Sequence, residues 1–171
     1  MNGYEFYPED GSTLYEEEAW ELSEQARSLW LRLTFAGEYS EDMSPVQIQG
    51  RKYLSMFPAR DGVYTIEQVR EKFLAVFSEE STDKTLNAAI ASKDLLEYNG
   101  NVYAAYKKNR GKTSYNSWAD HVRDDGAGKF TVVMGVSMPP DGSTVYVELP
   151  TEKKAAGKFV FTDYPYWDRS E

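Results

Sequence analysis

Leu22, Ala26, Leu29, Trp30 and Leu33 recur at a 3.6-residue spacing, which predicts one apolar stripe along a helix. Thr13 and Glu16 have the spacing of a capping box at its start, and Gly37 suits its end. A second stripe, Ile66, Val69, Phe73 and Leu74, follows Thr65 and Gln68, again spaced as a capping box, and is expected to end near Phe77. Ser81 or Thr82 is the expected cap of a third helix that turns Leu86, Ala89, Ile90 and Leu96 inward. Asn99-Gly100 predicts a tight turn, and Val102 to Tyr106 the strand after it. The period then changes. Phe130, Val132, Met134, Val136 and Met138 alternate with smaller or polar residues, and Val145, Val147 and Leu149 alternate again after Pro139-Pro140-Asp141-Gly142. That pattern predicts an antiparallel hairpin, with a third strand at Phe159 and Phe161. Residues 38–64 are ambiguous: Val46 to Ile48 and Lys52 to Leu54 fit either short strands or a short helix.

The run Tyr64-Thr65-Ile66-Glu67-Gln68-Val69, then Asn87-Ala88-Ala89-Ile90, then Asp94-Leu95-Leu96-Glu97-Tyr98-Asn99-Gly100-Asn101-Val102-Tyr103 resembles a winged helix-turn-helix. The resemblance covers residues 65–106 and is similar to the domains of regulators and of plasmid or phage replication initiators. It implies an α+β chain: a winged-helix-like helical half, then a small antiparallel hairpin or sheet. The expected organisation is an acidic helix plus winged-helix-like domain at 1–111, a polar connector at 112–128, and a β region at 129–171 packed on the first.

The resemblance also implies a DNA site. A recognition helix offers its N-terminal side chains to base edges in the major groove, which here would be Ser81, Thr82, Lys84 and Thr85, with Ser92 further along. Asp83, Glu79 and Glu80 would face the phosphates unfavourably. Lys107, Lys108, Arg110 and Lys112 fall in the wing, and Tyr98 to Ala119 holds no acid, so these four cations are the expected phosphate contacts. Tyr103, Tyr106, Tyr115 and Trp118 interleave with them as a stacking platform would.

Charge changes the picture. The chain of 171 residues has a formal net charge of −9, yet residues 1–50 hold eleven acids and two bases, and the remainder holds seventeen of each. The excess therefore lies wholly in the first third, and an acidic total does not exclude a basic face. Glu16, Glu17, Glu18, Glu21 and Glu24 around Trp20 form a second candidate surface, one that would steer towards a basic, nucleic-acid-handling protein. Small acidic inhibitors of the anti-CRISPR or host-takeover type share this charge and size.

Several chemistries are excluded. There is no cysteine, so thiolate nucleophiles, disulfides and cysteine-ligated metals are ruled out. The single His121, with Ser117 and Asp124 near it, lacks any nucleophile-elbow or oxyanion motif. Asp124-Asp125-Gly126 lacks the spaced oxygens of a calcium loop, and Gly126-Ala127-Gly128-Lys129 lacks P-loop spacing. The expectation is a non-catalytic cytoplasmic protein with no cofactor, metal or membrane span.

Overall fold

The computed structural model describes residues 13–34, 44–106, 116–138, 142–154 and 158–163. Among them are three α-helices, α1 (Glu16–Thr34), α2 (Ile66–Leu74) and α3 (Glu79–Ala91), and eight strands. The strands are β1 (Val46–Ile48), β2 (Arg51–Ser55), β3 (Leu95–Tyr98), β4 (Asn101–Ala105), β5 (Asn116–Gly126), β6 (Lys129–Met138), β7 (Ser143–Lys153) and β8 (Phe159–Phe161). The architecture is α+β, with two antiparallel four-stranded sheets ordered β1-β2-β4-β3 and β5-β6-β7-β8. No described helix is long and apolar enough to cross a membrane.

Local chemistry explains most boundaries. Glu16, Glu17 and Glu18 fill the first turn of α1, where the helix dipole favours negative charge. Thr65 caps α2 reciprocally: its hydroxyl accepts from the Gln68 N–H at 3.1 Å, and the Gln68 amide oxygen accepts from the Thr65 N–H at 3.1 Å. Asn99 and Gly100 both hold positive φ, 48° and 75°, which closes the β3–β4 hairpin. The ambiguous segments around residue 50 form a hairpin too, Val46 opposite Tyr53 and Ile48 opposite Arg51.

Four expectations need correction. The segment expected as a connector at 112–128 is largely β5, which pairs with β6 along its length and packs beneath α1. Its interrupted alternation comes from two register shifts, between Ala119 and His121 and between Asp124 and Gly126. α2 stops at Leu74, short of Phe77, because Phe77 leaves the helix to bridge Phe161. α3 is capped by Ser78, whose hydroxyl accepts from the Ser81 N–H at 3.2 Å, so Ser81 and Thr82 lie in the first turn. Ile90, expected inside, is 39% exposed.

One continuous core runs through both sheets and the helices, from Leu14 to Phe161. α1 packs on β5, β4 and α2 and so lies between the two sheets. The second sheet also grips the α2–α3 turn. The Phe161 N–H donates to Val76 O at 2.9 Å, the Ser78 N–H donates to Phe161 O at 2.8 Å, and the rings of Phe73, Phe77 and Phe161 cluster there. On the sheet's other face Trp118 lies over Gly135, where any Cβ would collide with the indole. Only glycine accommodates that approach.

Candidate nucleic-acid interface

α2, the four-residue link 75–78 and α3 follow one another, and the β3–β4 hairpin comes after them. The turn fixes the fate of the first expected contacts. Ser81 Oγ donates to the Thr162 carbonyl at 2.7 Å, so its hydroxyl serves the seam with the second sheet. Thr82 has no exposed surface, and its Oγ1 has no hydrogen-bond partner among the described residues. Thr85 is half-buried and lines a shallow groove with Trp30 and Leu33. Ser92 is exposed but caps the C-terminus of α3, donating to Ala89 O at 3.2 Å.

Lys84 alone of these five is a freely exposed base on the helix. One-turn spacing groups it with Glu80, Asn87, Ala88 and Ala91, all exposed. Asn87 is the residue the sequence reading overlooked. Its amide is suited to paired donation and acceptance at an adenine edge, and its position three residues after Lys84 was the available signal.

The acids beside this face are not left bare. Arg70 on α2 donates through Nε to Asp83 Oδ1 at 2.8 Å, and through its Nη2 to Asp83 Oδ2 and Glu79 Oε1, each at 3.3 Å. The hydrogen bond to Asp83 raises the pKa of the Arg70 guanidinium, and the same bond holds the Asp83 carboxyl below its usual range. The expected repulsion from Glu79 and Asp83 is therefore offset within the helix pair, and among the described residues Glu80 has no ion-pair partner. At the other end of α3, Arg51 donates to Ser92 O at 3.2 Å and pairs with Asp94 at 2.5 Å. A cation there suits the helix C-terminus, and the Asp94 hydrogen bond raises the arginine's pKa.

The hairpin supports the pair from below. Glu97 Oε1 accepts from the Ile66 N–H at 2.8 Å, filling a free donor in the first turn of α2. Lys107, Lys108, Arg110, Lys112 and Tyr115 lie outside the described residues. Of the expected platform, Tyr103 packs instead with Ile48, Tyr53 and Ala105, Tyr106 is exposed at the end of β4, and Trp118 sits apart on β5.

The acidic surface is intact on α1: Glu16, Glu17, Glu18, Trp20, Glu21 and Glu24 are all exposed, and none of the acids is ion-paired with a described residue. Ser117, His121 and Asp124 are not brought together. Ser117 pairs with Val136 and Asp124 with Phe130, whereas His121 pairs with Val133, so the imidazole projects from the opposite face. It meets Asp120 instead, Nδ1 to Oδ2 at 2.8 Å. No described cluster of acids and histidine has metal-binding geometry.

Thr82 yields a sharp test of what this helix uses. Thr82→Val replaces an unsatisfied buried hydroxyl with a methyl of the same shape, and is expected to raise stability by about 1 kcal/mol. The urea midpoint reports the gain. A base-reading role would instead show as a loss of nucleic-acid retention at unchanged stability. Neither the protein-family models nor the curated proteins compared with this chain give a match.

Proposed function

We propose that the chain is a non-catalytic, DNA-associated regulator or replication accessory of a phage- or plasmid-type element, with a winged helix as its binding unit. The observation that carries this reading is element order. Helix, hairpin, helix, helix and hairpin succeed one another over residues 16–105, with the final strand β4 inserted between β2 and β3 and β1 added outside β2. That is the arrangement a winged helix requires, with α3 as recognition helix and the segment after β4 as its cationic wing. The contact set is narrower than the sequence implied: Lys84 and Asn87 face outward as base-edge candidates, Lys107, Lys108, Arg110 and Lys112 supply phosphate contacts, and Ser81 and Thr82 belong to the fold. The wild-type chain is expected to be retained on DNA resin at low salt and released steeply as salt rises. Passage without retention at low salt overturns the reading.

The acids around Trp20, none of them ion-paired with a described residue, favour a second reading, an inhibitor that occupies a basic, nucleic-acid-handling protein. Aromatics amid complementary charge anchor such contacts. Glu16→Lys, Glu17→Lys and Glu18→Lys together are then expected to abolish capture of a basic partner while leaving the far-UV spectrum unchanged. The same triple change should not weaken DNA retention, which separates the two readings.

A further inference from the structure

The β3–β4 turn carries chemistry as well as shape. Asn99 and Gly100 are exposed at its tip, and a Cβ placed on Gly100 would meet no atom within 4 Å. The missing side chain leaves the Gly100 nitrogen uncrowded. Neither that N–H nor the Asn99 carboxamide has a hydrogen-bond partner among the described residues. Asn101, two positions on, is the contrast. Its Nδ2 donates to Ser55 Oγ at 2.6 Å, its Oδ1 accepts from the Val102 N–H at 2.9 Å, and its successor is the branched, buried Val102. Of the described asparagines, Asn87, Asn99, Asn101 and Asn116, only Asn99 precedes a glycine.

We propose that Asn99 is a site of self-modification with water as co-reactant. The Gly100 nitrogen gives up its proton and attacks Asn99 Cγ, a C–N bond forms, and the side-chain nitrogen leaves as ammonia. The cyclic imide then takes up water and opens at either carbonyl, to aspartate or to isoaspartate. No electron changes hands. Ring closure requires the Asn99–Gly100 peptide to swing out of the turn, which breaks the adjoining pair, Tyr98 opposite Asn101. That pair is the last of its ladder and β3 lies at the edge of the first sheet, so the opening is a local fraying. The two products act differently on the fold. Aspartate keeps the chain length and tolerates positive φ. Isoaspartate routes the backbone through an additional carbon, and loop length fixes the register of a hairpin. The disturbance falls on Tyr98 and on Glu97, whose carboxylate accepts from the Ile66 N–H of α2 at 2.8 Å.

Ageing the full chain at neutral and at mildly alkaline pH, followed by tryptic mapping, tests this. Peptide 94–107 is expected to accumulate two products at Asn99, each with the amide NH2 replaced by OH. They should form faster at the higher pH, because the attacking nitrogen must lose its proton. Asn2 also precedes a glycine, but it falls in the separate peptide 1–27 and lies outside the described residues. Asn99→Gly keeps a turn suited to positive φ, and is expected to show no conversion in 94–107 with a wild-type far-UV spectrum. The isolated isoaspartyl form should unfold at a lower urea midpoint than fresh chain, and Asn99→Asp should match fresh chain. An Asn99 that remains an amide at both pH values overturns the proposal, as does conversion at Asn101 in its place. An isoaspartyl form as stable as fresh chain overturns the effect assigned to it on the hairpin. None of these outcomes depends on whether the chain binds DNA.

Discussion

Phe77→Ala is expected to lower the stability of the whole chain by about 3–5 kcal/mol. The side chain is fully buried, with ring centroids 5.8 Å from Phe73 and 6.5 Å from Phe161. Two backbone hydrogen bonds, Phe161 N–H to Val76 O and Ser78 N–H to Phe161 O, hold the walls of the resulting cavity apart. Collapse would relieve the loss, and these bonds resist collapse, so the upper part of the range applies. Against a usual total of roughly 5–15 kcal/mol for a domain, that is a large fraction. Because Phe77 joins the α2–α3 link to β8, both halves should respond together. Far-UV circular dichroism and tryptophan fluorescence are expected to shift to one common, lower urea midpoint. Separate transitions, or an unchanged midpoint, would mean that the second sheet docks on the helices without stabilising them.

The same joint shows where the sequence was legible. Regular spacing was enough to place α1, α2 and the β6–β7 hairpin, and it placed α3 apart from Ile90, which is exposed, and Leu96, which lies on β3. Asn99-Gly100 was readable as a turn because both types tolerate positive φ. Gln49 at φ 52° was not, since glutamine rarely adopts that conformation, and so the β1–β2 hairpin stayed ambiguous. β5 was hidden by its shifts and its run of charged residues, which serve the edge of a sheet and break the alternation. Burial at the α2–α3 turn was invisible for a different reason. Ser81 and Thr82 are small and polar, as a recognition helix would have them, yet Thr82 is fully buried and Ser81 bonds to Thr162, some eighty positions further along. Long-range contact overrode a local pattern. The Arg70 link to Asp83 and Glu79 was equally out of reach, because it crosses between two helices whose relative placement the spacing does not give.

Lys107→Glu combined with Lys108→Glu is expected to abolish DNA retention at moderate salt. Four wing cations neutralising about four phosphates give a slope of log K against log salt of roughly −3.6, so raising salt fourfold weakens binding about a hundredfold. Reversing two of the four removes about half of that slope and adds repulsion from the new carboxylates. The remaining cation on α3, Lys84, is one contact and does not compensate. Such a steep dependence is the signature of phosphate contact, whereas Asn87→Ala should cost about 1–3 kcal/mol on a preferred sequence and nearly nothing on others. Arg70 makes the two effects separable. Its pairing with Asp83 offsets part of the negative charge on α3, so under the DNA reading the double reversal should move affinity and salt slope, and Asn87→Ala should move discrimination. If the double reversal leaves both retention and slope at wild-type values, the wing does not meet phosphate and the DNA reading fails with it. If retention is lost and the urea midpoint falls with it, the loss comes from a disturbed fold; an unchanged midpoint assigns it to the wing cations.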